Sequence, residues 1–122
     1  DIELLMTSHV IYQNMDPTNP ASLSKTIITD LLKNELKYTG LIITDDLEMA
    51  ASKTNNTLPL KKAFNAGSHF LLLTTPLYKI PELIETLNNE IDKNEKQKRV
   101  QAILTLKSKV FQPPEPLIPI SL

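Results

Sequence analysis

Three short apolar runs punctuate this chain: Leu4-Leu5-Met6, Leu41-Ile42-Ile43 and Phe70-Leu71-Leu72-Leu73. Each ends on hydroxyl-bearing or acidic residues, Thr7-Ser8, Thr44-Asp45-Asp46 and Thr74-Thr75, and each gap between them has room for a helix. Wholly apolar runs of this length suit strands buried on both faces, as in parallel sheets. Parallel neighbours need long crossovers, usually helical and right-handed. The sequence therefore reads as strand, helix, strand, helix, strand, helix, helix, which is an α/β fold.

The first strand spans Glu3 to Ser8, and His9 lies just past it. Asn14, Asp16, Pro17, Asn19 and Pro20 make Tyr12 to Pro20 a loop. A helix follows from Ser22 or Ser24, either of which can cap it, to about Lys37. Ile27, Ile28, Leu31, Leu32 and Leu36 form its buried face, and Gly40 follows its end. Leu47 to Ser52 reads as a short helix, Lys53 to Thr57 as loop, and Leu58 to Ala66 as a helix with Pro59 in its first turn and Gly67 at its close. Helices are expected over Ile80 to Ile91 and about Glu95 to Val110, the latter burying Val100, Ile103, Leu104 and Leu106. Residues 112–122 carry Pro113, Pro114, Pro116 and Pro119, so they form an extended tail rather than a helix.

Three parallel strands make a poor domain alone, because two edges lie open and both faces need cover. The chain has 2 Gly against 9 Pro, few for the turns of a complete α/β domain. Residues 1–111 therefore read as an arc of a larger sheet or barrel, and residues 112–122 as its Pro-rich tail. A net charge of -1, with no basic patch among aromatics, gives no reason to expect a nucleic-acid partner. The lack of Cys removes disulfides and thiolate chemistry. No apolar run reaches membrane-spanning length. Asn55-Asn56-Thr57 matches a glycosylation sequon, with no secretory context beside it.

Chemistry in parallel α/β folds gathers at the carboxyl ends of the strands. Asp45 stands there, which makes it a candidate catalytic carboxylate; the plainer readings are a helix N-cap or a solvated turn. Asp46, adjacent along the strand, should point to the opposite face and be structural. His9 sits past the end of the first strand, where an acid role and a plain structural role are both open. Met49 is divided between core packing and ligand contact, and His69, at the start of a strand, reads as structural or exposed. Tyr12, Tyr38 and Tyr78 could stack on a ligand, though scattered tyrosines are more often half-buried packing residues. No further carboxylate or His cluster has ligand spacing, so a metal centre at Asp45 and Asp46 ranks low.

Several segments together carry a family resemblance. They are Leu5-Met6-Thr7-Ser8-His9-Val10-Ile11-Tyr12, then Leu36 to Ala50 with its Gly40-Leu41-Ile42-Ile43-Thr44-Asp45-Asp46-Leu47-Glu48-Met49 core, then Ala63 to Leu73, and Arg99 to Lys107. With them the chain resembles glycoside hydrolase family 3, and within it the β-N-acetylhexosaminidases. The resemblance implies a (β/α)8 TIM barrel of which this chain supplies roughly the last three βα units. It implies hydrolysis of terminal β-linked N-acetylglucosamine with retention, on a β-N-acetylglucosaminide or muropeptide substrate in peptidoglycan recycling, with no metal or cofactor and in the cytoplasm. Asp45 matches the nucleophile, and His9 and Met49 match positions near the sugar. The family's general acid/base and most substrate-reading residues lie on earlier strands, so the partner expected is the N-terminal portion of the barrel. The alternative is a non-catalytic fragment or decayed enzyme acting as a structural or interaction module, and the isolated chain is expected to be inactive. A three-strand arc with open edges is also expected to aggregate or dimerise.

Overall fold

The computed structural model describes residues 2–50 and 57–111. The sequon asparagines, the loop at 53–56 and the Pro-rich tail lie outside the described residues. The chain is a helix-rich α/β unit built on two parallel strands, β1 (Leu4–Thr7) and β2 (Leu41–Thr44). They pair in the register Leu4 with Leu41 through Thr7 with Thr44, so their carboxyl ends lie side by side.

β2 meets the expectation of a strand buried on both faces, with Leu41 buried on one face and Ile42 and Thr44 fully enclosed on the other. β1 does not. Leu4 is 46% and Met6 58% exposed. Among the described residues β1 pairs only with β2, so one edge and part of its surface have nothing against them. The third apolar run also departs from a regular strand. Phe70 forms one parallel bridge with Ile43. Past it, the Leu72 N–H donates to the Thr44 hydroxyl at 3.0 Å rather than to a backbone carbonyl, and the Leu72 carbonyl accepts from Leu47 N–H at 3.0 Å. The chain leaves β2 at Asp45 to enter a helix, so no ladder is left for residues 71–73 to join.

The crossover from β1 to β2 opens with a 3-10 turn, Ala21–Leu23, and continues as a π-helix, Thr26–Glu35. Ser24 supplies its cap, accepting Ile27 N–H at 3.2 Å. A π-helix places more residues in each turn than an α-helix. The face predicted from α periodicity therefore drifts: Ile28 is fully buried, whereas Leu36 ends 62% exposed. Ile28 joins Ile42 and Ala66 in one core cluster, flanked by Leu32 and Tyr38.

After β2 come α1 (Leu47–Ala50) and α2 (Thr57–Ala66), the latter with Pro59 in its first turn, where a missing N–H costs nothing. Leu47, Leu60 and Ala63 form a second cluster, covered by Leu23, Leu71, Leu73, Leu83 and Leu87. Gly67 ends α2 at φ 119°, a conformation side chains rarely take. α3 (Ile80–Glu90) follows a 3-10 turn at Leu77–Lys79, and α4 (Lys93–Val110) starts two residues earlier than expected because Asp92 caps it, accepting Glu95 N–H at 2.8 Å. The expected buried side of α4 is only partly realised: Ile103 and Leu106 are half-buried, whereas Val100 and Leu104 are exposed. No described apolar surface of the chain reaches these two. No helix among the described residues is long and apolar enough to cross a membrane.

Candidate active site

The paired carboxyl ends of β1 and β2 bring Thr7, His9, Thr44, Asp45 and Asp46 together, as parallel pairing in this register requires. Asp45 is the first residue past β2. Its N–H donates to the Thr7 carbonyl at 2.8 Å, which extends the strand pairing by one step and fixes the backbone beneath the side chain. Its Oδ1 accepts the Asp46 N–H at 2.8 Å. Its Oδ2 has no hydrogen-bond partner among the described residues, and the side chain is half-buried. A carboxylate anchored through one oxygen with the other free is equipped for nucleophilic attack.

Asp46 is committed elsewhere. Oδ1 accepts Glu48 N–H at 3.0 Å, capping α1, and Oδ2 accepts the Thr74 hydroxyl at 2.7 Å. The Thr74 hydrogen bond, with help from backbone N–H groups and His9, holds its carboxyl below the usual carboxylate range. The helix-cap reading of this Asp-Asp pair therefore belongs to Asp46, and Asp45 escapes it. The expectation that the two carboxylates diverge holds for a different reason. The chain has already left the strand, and Asp46 turns to serve α1.

His9 bridges the same turn to the crossover. Its Nε2 lies 2.7 Å from the Asp46 carbonyl, and its Nδ1 2.6 Å from the Ser22 hydroxyl. A carbonyl only accepts, so Nε2 carries the proton, and Nδ1 is engaged with the Ser22 hydroxyl. Both nitrogens are thereby occupied, which leaves the ring neither a free proton nor a free lone pair for acid/base work. Met49, on α1, is 69% exposed. His69 lies away from this site. Its Nδ1 accepts the Ile42 N–H at 3.0 Å near the start of β2, which fits the structural role expected for it.

Two supporting residues carried weak signals in the sequence. Ser22, fully buried, orients His9. Asp16 organises the preceding loop: its carboxylate accepts from Thr18, Asn19 and the Ser24 hydroxyl, the last at 2.7 Å, and these bonds hold its pKa far below the usual range. An Asp followed within three residues by Thr and Asn is the pattern of an Asx turn, and that pattern was available to find it. Among the described residues, no three His, Asp or Glu side chains gather as a metal ion would require.

Comparisons with known proteins place this geometry in a family context. The model of the glycosyl hydrolase family 3 N terminal domain matches residues 1–106. The β-hexosaminidase of Alkalilimnicola ehrlichii is 39% identical over 85 residues, covering 68% of this chain and 24% of that protein. The β-hexosaminidase of Haemophilus ducreyi is 34% identical over 110 residues, covering 88% of this chain and 30% of that protein. Among solved structures, the family 3 β-N-acetylglucosaminidase of Paenibacillus sp. superimposes over 97% of this chain and 26% of its own, at a TM-score of 0.78 and 26% identity. The chain thus spans only a quarter to a third of the length of these relatives.

Proposed function

The chain belongs to the glycosyl hydrolase family 3 N-terminal domain family, and on that premise we propose that it is the nucleophile-bearing part of a retaining β-N-acetylhexosaminidase. In this reading it forms roughly the last three βα units of a (β/α)8 barrel, with β1 and β2 as adjacent barrel strands. The names of its relatives, β-hexosaminidases and a β-N-acetylglucosaminidase, support terminal β-linked N-acetylglucosamine as the sugar, on a glucosaminide or muropeptide.

The observation that carries the proposal is the contrast between the two carboxylates. Asp46 spends its oxygens on α1 and Thr74, whereas Asp45 keeps one oxygen without a partner among the described residues. A retaining glycosidase needs an ionised carboxylate to attack the anomeric carbon, and a second group to protonate the leaving oxygen and then activate water. Asp45 takes the first role. The second comes from outside this sequence, since both nitrogens of His9, the titratable neighbour at the site, are already engaged. His9 and Met49 then border the sugar, His9 through its ring edge rather than through a nitrogen, and Met49 through its exposed thioether. The isolated chain is inactive in this reading, and it gains activity when joined to the remaining barrel strands.

The test is hydrolysis of a chromogenic β-N-acetylglucosaminide by the 122-residue chain and by the same chain extended upstream through those strands. Activity is expected only in the extended form, and Asp45→Ala there should lower kcat by about three orders of magnitude or more. Normal turnover by Asp45→Ala would remove the nucleophile assignment. Inactivity of both forms would instead favour the non-catalytic module.

A further inference from the structure

A second cleft, of about 460 Å³, opens between the π-helix, the Gly67–His69 turn and the first turns of α4. It lies toward the start of β2, since His69 bonds Ile42, and shares no residue with the Asp45 site. Three half-buried basic side chains line it, and each is fixed by backbone. The Lys33 ammonium donates to the Gly67 carbonyl. The Arg99 guanidinium donates to the carbonyls of Phe64 and Ser68, the latter at 2.9 Å, and stacks 3.7 Å from the centre of the Phe64 ring. His69 accepts from Ile42 N–H through Nδ1, so the proton of its neutral ring sits on Nε2.

The carbonyls held by Lys33 and Arg99 belong to a single turn at the end of α2, so the two cationic heads are brought together beside His69. Each feels the others. Burial first, then Lys33 and Arg99, push His69 down to about 4, and burial followed by Arg99 lowers Lys33. Of the acidic groups facing the cleft, Glu95 offsets this in part, acting on Lys33 and Arg99 against the effect of burial. Asp92 is committed to capping α4, and Glu95 pairs at 2.8 Å with the exposed Lys98 while standing 3.9 Å from Arg99. The other lysine at the rim, Lys25, is paired with Asp30 at 3.2 Å. Hydrogens remain on the Lys33 ammonium, on the outer guanidinium nitrogens of Arg99 and on Nε2 of His69.

We propose that this cleft binds a small oxyanion, a phosphate group held between Lys33, Arg99 and His69. Phosphate fits better than carboxylate because it offers more oxygens to donors that come from separate elements. The bound charge offsets the repulsion between Lys33 and Arg99, and the neutral His69 ring donates from Nε2. Gly67 belongs to the same device. A Cβ there would stand 3.2 Å from the Lys33 ammonium and 2.9 Å from the Thr29 hydroxyl, so glycine keeps the floor of the cleft clear.

The experiment follows the ring signals of the two histidines by NMR in the 122-residue chain at pH 7, titrating inorganic phosphate against sodium chloride of equal ionic strength. Glucose 6-phosphate, with glucose as its blank, forms the second arm. Saturable shifts of the His69 signal, with His9 unmoved, are expected from inorganic phosphate, from the sugar phosphate, or from both, and the pattern identifies the source of the phosphate group. Lys33→Gln should weaken the response about tenfold, the usual scale for losing one charge-assisted bond. A folded Lys33→Gln chain binding as tightly as the parent would overturn the assignment of the cleft. So would the absence of a saturable His69 shift in the parent in both arms, whatever the folding of the variant.

Discussion

Asp45 and Asp46 are chemically identical neighbours, and only their hydrogen bonds separate them. Asp46 caps α1 and ties it to Thr74, while Asp45 is held by backbone on one side and, among the described residues, left open on the other. Asp46→Ala is accordingly expected to act on stability, costing about 1–2 kcal/mol through the lost cap and the lost Thr74 bond, read as a lowered urea midpoint. The sequence made Asp45 a candidate because a wholly apolar run ends there. It was silent on which of the two carboxylates a helix would claim, because a cap is defined by where the chain turns. His69 carries a second prediction at this scale. Its folded pKa is lowered to about 4 from an ordinary 6.5, so the unfolded chain binds a proton in this window that the folded chain refuses. Stability is full above pH 6.5 and declines as pH falls toward 4. His69→Gln, which keeps an acceptor for Ile42 N–H, should flatten that part of a melting-temperature profile. Asp16 and Asp46, both depressed, contribute stability that is lost only at still lower pH.

At the scale of elements, termini were more legible than faces. Pro59 in a first turn and Gly67 after a last one were read from the sequence as local chemistry, whereas the Asp92 cap that starts α4 two residues early was not. The face of the crossover helix was not legible. Its winding as a π-helix is a backbone choice that the apolar spacing does not encode, and it turned Leu36 outward. Gly67 is where an element depends most on one residue. Gly67→Ala would strain φ 119° and push a methyl to 2.9 Å from the Thr29 hydroxyl and 3.1 Å from Ile28. A loss of about 1–3 kcal/mol is expected by chemical denaturation.

The described residues hold two small cores and much uncovered apolar surface. Ile2, Leu4, Met6, Val10 and Ile11 are exposed at or near β1, a strand with an unpaired edge among the described residues. Such an edge templates further pairing. The 122-residue chain should therefore associate, with a sedimentation or light-scattering mass above that of one chain and rising with concentration. In the barrel reading proposed above, the form extended through the remaining strands should run as a discrete species. A sharply monomeric short chain would contradict a barrel arc. The sequence by itself determined the alternation of strand and helix, the caps and stops, and the family, because periodicity, turn residues and the Gly40-to-Met49 block are local patterns. Only the tertiary structure decided that β1 is an exposed edge, that residues 71–73 follow β2 without a ladder, that His9 is locked between Ser22 and Asp46, and that Lys33, Arg99 and His69 share a cleft. Each of these depends on which distant segments meet, and that is settled by the packing of the chain as a whole.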